Sequence, residues 1–125
     1  MNTRHTLPGD IERTSMSIIA AELAERGVVL PPEQEAVVKR VIHTTADFDY
    51  ANNLRFTPGA AELGQAALKQ GVPIVTDTNM AKAGISKPSL EAFGCTLRCF
   101  MAEPEVAELA RERGLTRAAV SMERA

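Results

Sequence analysis

The strongest constraint on how this chain folds is its punctuation. Prolines and glycines divide it into segments with the length and apolar spacing of helices, and two short strand-like runs lie among them. The stretch "IERTSMSIIAAELAER", residues 11–26, carries Ile11, Ile18, Ile19 and Leu23 at helical spacing, and Gly27 follows as a stop. A second helix is expected from about Pro32 to Ile42, with Val37, Val38, Val41 and Ile42 as its apolar contacts. Proline suits a first turn, because the N–H it lacks has no helical partner anyway. "NNLRFT" is too brief to assign beyond an extended segment. Then Thr57 reads as an N-cap, Pro58 as the first helical residue, "GAAELGQAALKQ" as the helix and Gly71 as its stop.

"VPIVTD" reads as a strand buried on both faces, the pattern of a parallel sheet. "TNMAKAG" is a loop or short helical turn, "KPSLEAF" a short helix stopped by Gly94, and "TLRCFM" a second strand. "EPEVAELARER" is a helix with Pro104 in its first turn and Gly114 at its end, and Thr116 caps "RAAVSMERA". Strands alternating with helices imply an α/β domain with right-handed crossovers. The expectation is one domain over residues 1–125, built as a three-layer, Rossmann-like arrangement around a parallel sheet. Only two strands are evident, and the last helix has no stop signal. The chain therefore reads as the front portion of a larger domain, incomplete at its C-terminus.

Composition narrows the function classes. Apolar residues make up 45% of the 125, enough for a core and too many for a disordered chain. Fourteen Lys and Arg against sixteen Asp and Glu leave a net charge of −2, which argues against a general nucleic-acid binder. No apolar run has transmembrane length, and "MNTRHTLPGDIERT" has no apolar signal core, so a cytoplasmic chain without a membrane role is expected. Cys95 and Cys99 lie four apart in "GCTLRCF". On a strand their α-carbons are too distant for a disulfide, and packing as small apolar groups is the plainer reading. A zinc site there would need His5 or His43, the only histidines.

The chemistry-bearing residues gather at two places. Asp77, Thr78 and Asn79 follow the first strand, at the edge where open α/β sheets bind ligands; Asp77 equally suits a helix cap. His43 ends the second helix, ahead of "TTADFDY". It reads as a partly buried structural residue, as a metal ligand with Asp47 and Asp49, or as an acid/base group. The last is the better motivated, because the negative end of a helix favours the imidazolium and hence proton donation. Arg40, three residues earlier, opposes this as a nearby cation but suits an anionic ligand. The nucleotide-loop, serine-hydrolase and zinc-protease motifs are all missing.

Taken as a set, "IERTSMSII", "RVIHTTADFDYANNLRFTPGA", "GVPIVTDTNMAKAGI" and "GLTRAAVSMERA" resemble the precorrin-8X methylmutase family, also called precorrin isomerase or cobalt-precorrin-8 methylmutase. The order and spacing of the blocks fit over nearly the whole chain. The resemblance implies an α/β homodimer without a separate cofactor that acts in cobalamin biosynthesis. It implies transfer of a methyl group from C11 to C12 of the macrocycle, giving hydrogenobyrinic or cobyrinic acid. His43 matches the family's key histidine, whose implied role is to protonate, or hydrogen-bond to, a ring nitrogen and ease a 1,5-sigmatropic shift. Ser15, Arg40, Asp77, Met80 and Arg117 match substrate-contacting positions. Arg40, Lys82 and Arg117 are candidate partners for the substrate's carboxylates. Met16 stands where the family usually has Phe, and the family's Gly-Asn-Ala-Pro-Thr segment has no counterpart. A non-catalytic tetrapyrrole-binding or assembly module is the alternative. An aspartate phosphoacceptor ranks last, for want of the acidic cluster and lysine such a site needs.

Overall fold

The computed structural model of the chain describes residues 7–125, which divide into two compact units, the first ending at Leu63 and the second beginning at Gly64. His5 lies outside the described residues. Helix α1 (Pro8–Glu25) starts ahead of its apolar spacing, because Pro8 suits a first turn and the Leu7 carbonyl accepts from the N–H groups of Asp10 at 2.9 Å and Ile11 at 3.2 Å. Its end is set by Gly27, whose φ of 69° glycine adopts without strain. This lets the Gly27 N–H reach the Ala24 carbonyl at 3.0 Å and the Val28 N–H reach Leu23 at 2.9 Å.

Helix α2 (Pro32–Thr45) runs about a turn past the expected end. The Thr44 and Thr45 hydroxyls donate to the carbonyls of Arg40 at 3.0 Å and Val41 at 2.8 Å, so both threonines serve the final turn. Ala46 then takes a left-handed backbone, φ 56° and ψ 22°. Asp47 is a turn residue: its carboxylate accepts from the Asp49 N–H at 2.9 Å, leading into the single turn α3 (Tyr50–Asn53). "NNLRFT" is therefore split, its asparagines helical and Leu54 onward irregular.

The first core packs Ile19 and Leu23 of α1 against Val38 and Ile42 of α2, with Met16, Val28, Phe48, Tyr50, Leu54 and Phe56 around them. Two other apolar residues of the α1 series stand outside that core. Ile11 and Ile18 are 51% and 60% exposed, because they lie on a neighbouring stripe of the helix that turns away from α2's buried face.

Helix α4 (Ala60–Lys69) leads into the second unit. Thr57 and Pro58 do not start it as expected. Gly59 has φ 72°, which breaks helical geometry, and the Thr57 carbonyl accepts the Ala60 N–H at 3.0 Å in a turn. Strand β1 (Ile74–Val75) pairs in parallel with β2 (Leu97–Arg98), Ile74 opposite Leu97 and Val75 opposite Arg98. The crossover holds α5 (Asn79–Gly84) and α6 (Lys87–Phe93), and α7 (Pro104–Arg113) and α8 (Arg117–Arg124) follow.

This is a mostly helical α/β pattern with a small parallel sheet. Both strands are shorter than their runs suggested, and Ile74 and Val75 are half-buried, not covered on both faces. Pro73 offers no N–H on one side of β1, and on the other the Thr76 hydroxyl donates to the Thr78 carbonyl at 2.9 Å and turns the chain. Val106 and Ala110 of α7 pack with Val120 of α8 and half-buried Phe100. Ser121 is fully buried there, and its hydroxyl has no hydrogen-bond partner among the described residues. Cys95 and Cys99 are both free and half-buried, and the Cys95 thiol donates to the Leu68 carbonyl at 3.4 Å.

Candidate active site

Packing of α1 on α2 joins residues distant in sequence in two places. Ser15 Oγ lies 2.6 Å from His43 Nδ1, and Arg40 is ion-paired with Glu12. Each pair spans 28 residues, and on each helix the two positions are about one turn apart. The hydrogen bond occupies Nδ1 and leaves Nε2 as the nitrogen for a ligand. His43 and Ser15 are both half-buried, and His43 sits in the last turn of α2.

Beside this pair is a cavity of about 410 Å³. Its walls are largely apolar: Ile11, Ile18 and Ile19 of α1, Ile42 of α2, then Ala46 and Phe48. Thr14, Ser15, His43 and Glu22 supply the polar atoms. The exposed stripe of α1 is thus a cavity wall. An apolar cavity with a few convergent polar groups suits an organic ligand. The imidazole–hydroxyl pair adds the means to give or take one proton. If Ser15 accepts from Nδ1–H, the ring can carry its second proton on Nε2 and donate it there.

Arg40 does not line this cavity. It lines a neighbouring groove with Lys39, Glu35 and Met16, and its guanidinium is engaged by Glu12. Arg40 holds the Glu12 carboxyl below the usual carboxylate range, first by hydrogen bond and then by charge. Desolvation opposes this, and the charges of His43 and Arg13 lower it further. Glu12 is therefore part of the site's electrostatics. Sequence reasoning passed it over, although it stands three residues before Ser15, at the same interval as Arg40 before His43.

The remaining sequence-derived residues lie in the second unit. Asp77 is exposed and is not the cap of α5; Thr78 is, its hydroxyl accepting the Ala81 N–H at 3.1 Å. One position decides this, because the Thr78 backbone is extended as an N-cap requires. Met80 is almost fully exposed on the first turn of α5, and Lys82 is half-buried in its last turn. Arg117 is exposed at the start of α8, where Thr116 caps the helix by accepting the Ala119 N–H at 3.2 Å. So Ser15 and His43 are brought together with Arg40 nearby, while Asp77, Met80 and Arg117 belong to the other unit. Among the described residues no three His, Cys, Asp or Glu side chains cluster to hold a metal, and His43, Asp47 and Asp49 form no such group. Nor, among those residues, is any helix long and apolar enough to cross a membrane.

Fold and site together define an α/β protein whose helical unit carries an apolar cavity with a histidine–serine pair. Residues 10–125 match the family described as Precorrin-8X methylmutase, and the chain belongs to that family. It is 40% identical over 116 residues to a cobalt-precorrin-8 methylmutase of Leptospira interrogans, covering 93% of this chain and 52% of that one. It is 38% identical over 113 residues to a precorrin-8X methylmutase of Pseudomonas aeruginosa, covering 90% and 53%. The crystal structure of a precorrin-8x methyl mutase from Thermus thermophilus superimposes with a TM-score of 0.77 at 35% identity, over 90% of this chain and 53% of that one. The chain thus spans about half the length of the relatives it matches.

Proposed function

We propose that this chain carries the proton-donating half of a methylmutase site acting on precorrin-8 or its cobalt form in cobalamin biosynthesis. The observation that carries this is the Ser15–His43 hydrogen bond at the wall of an apolar cavity. The cavity takes one edge of the macrocycle. His43 Nε2 donates to a ring nitrogen, Ser15 accepts from Nδ1–H, and electron density is drawn from the conjugated system. The bond from C11 to the methyl group breaks as the bond to C12 forms. Atoms and electrons are conserved within the substrate, and no separate cofactor takes part. By the family likeness, Asp77, Met80 and Arg117 of the second unit are substrate-contacting positions. The protein works in the cytoplasm as a homodimer or higher oligomer.

The test is to mix the chain with precorrin-8 and follow the visible spectrum. Conversion that falls by about 10²–10⁴-fold in His43→Ala, the range for a lost general acid, supports the reading. Unchanged conversion in that variant overturns the role of His43. A second reading is a tetrapyrrole-binding or assembly module without turnover, for which the largely apolar cavity wall suffices. It predicts tight binding of the coloured product and no conversion. No binding at all sinks both.

A further inference from the structure

The acidic side chain on the cavity wall is Glu22, and its sign is wrong for a ligand rich in carboxylates. It is not left alone. Arg26, one turn on in α1, is ion-paired with Glu22, and its guanidinium carbon lies 4.5 Å from the centre of the Phe48 ring. Phe48 is itself a wall residue. Arg26 is not itself a lining residue, but its guanidinium is held by two residues that are, one through charge and one through the face of a ring. Contact with the ring face restrains the guanidinium, and its single ion-pair contact to Glu22 leaves N–H donors for a second carboxylate. The Glu22 and Arg26 side chains are 37% and 50% exposed, so their mutual attraction is weak, and a ligand carboxylate displaces or shares it at small cost. The C-terminal end of α1, where Arg26 is the cap residue, also favours a cation.

We propose that Arg26 is the carboxylate-recognition residue of this cavity: stacked on Phe48, it binds a peripheral carboxylate of the ligand, and Glu22 is the counter-ion that holds it ready. This rests on the tetrapyrrole reading above and deepens it by assigning a specificity contact that neither Arg40 nor Arg117 makes at this cavity. Exchange of partners also lets Arg26 report on ligand charge, since an esterified ligand offers no anion to compete with Glu22.

The experiment is a visible-absorbance titration of the full chain with hydrogenobyrinic acid and, separately, with its methyl ester. Arg26→Gln weakens binding of the acid by about tenfold, the scale of a lost charge-assisted contact, and leaves binding of the ester unchanged. Arg26→Lys gives an intermediate loss, because it keeps the charge without the fork. Glu22→Gln tightens binding of the acid by about threefold, a direction that a folding defect does not produce. Equal acid affinity in Arg26→Gln and the unaltered chain overturns this proposal while sparing the tetrapyrrole reading. Equal losses on acid and ester show a role in shape alone and overturn it too. If the unaltered chain binds neither ligand, the tetrapyrrole reading fails and takes this one with it.

Discussion

In the first unit two long helices bury Ile19, Leu23, Val38 and Ile42 between them, whereas in the second the buried apolar set is Val106, Ala110 and Val120. Large branched side chains interlocking along two helices specify how those helices pack, and that packing holds Ser15 and His43 at 2.6 Å. The second unit is specified more by its backbone. Helix α6 closes with the Cys95 N–H on the Leu90 carbonyl at 3.0 Å and α7 with the Leu115 N–H on Ala110 at 2.9 Å. Ser86, Thr116 and Thr78 cap three of its helices, and β1 meets β2 in two residues each. Its sequence-derived site residues Asp77, Met80 and Arg117 are all exposed. Side-chain packing positions the candidate pair Ser15 and His43; backbone closure by itself positions the chain.

That contrast breaks most sharply under core truncation. Ile42 is 1% exposed and flanks both the first core and the cavity. Ile42→Ala is expected to cost about 2–5 kcal/mol, read by urea unfolding, with amides of α1 and α2 losing hydrogen-exchange protection first. A backbone lesion tests the second unit. A Cβ at Gly71, where φ is 72°, would stand 3.0 Å from the Gly94 carbonyl oxygen and 3.2 Å from that of Phe93. Gly71→Ala therefore costs about 2 kcal/mol or more, with protection lost around β1 and α6. Indifference to this change would show that the second unit does not depend on its backbone closures.

Smaller and of opposite sign is Ala46→Gly. Ala46 holds a left-handed φ of 56° immediately after α2, and glycine relieves that strain. The expected gain is up to about 1 kcal/mol in urea unfolding, reduced by the extra freedom of glycine in the unfolded chain. Destabilisation instead would mean that the methyl group's place on the cavity wall outweighs the strain. The smallest effect is in acid. Arg40 lowers the Glu12 carboxyl in the first unit, and Arg113 does the same to Glu123 in the second, both from a reference of 4.5. A carboxyl lowered on folding contributes stability that is present above its unfolded value. That stability is lost as pH falls through the lower folded value. Both pairs are exposed, so the slope is small in each unit. Comparing Glu12→Gln with Glu123→Gln in urea titrations between about pH 5 and pH 2 should flatten it in both.

Much of the local structure was legible because local hydrogen bonds decide it. "KPSLEAF", "EPEVAELARER" and the Thr116 cap appear where proline, glycine and hydroxyl positions put them. The misreadings share a cause. Periodicity set Ile11 and Ile18 beside Ile19 and Leu23 as one apolar series, since apolar spacing cannot say which of two adjacent stripes meets the neighbouring helix. Cap chemistry suits Asp77 as well as Thr78, and Thr57 as well as a plain turn, until backbone angles choose. Arg40 looked like a free cation because Glu12, its partner, is 28 residues away in sequence. Arg26 attracted no notice for the same reason: Phe48 joins it only through the fold.

By itself, then, the order of residues determined several helix ends, the α/β alternation, the place of His43 near a helix end and the family to which the chain belongs. These follow from bonds between near neighbours and from blocks read in order. Only the tertiary structure decided that Ser15 shares a hydrogen bond with His43, that Glu12 engages Arg40, and that an apolar stripe of α1 becomes a cavity wall. Each needs two helices brought side by side, and what brings them there is burial of Ile19, Leu23, Val38 and Ile42 against one another, a pairing across the chain that apolar spacing on either helix cannot record.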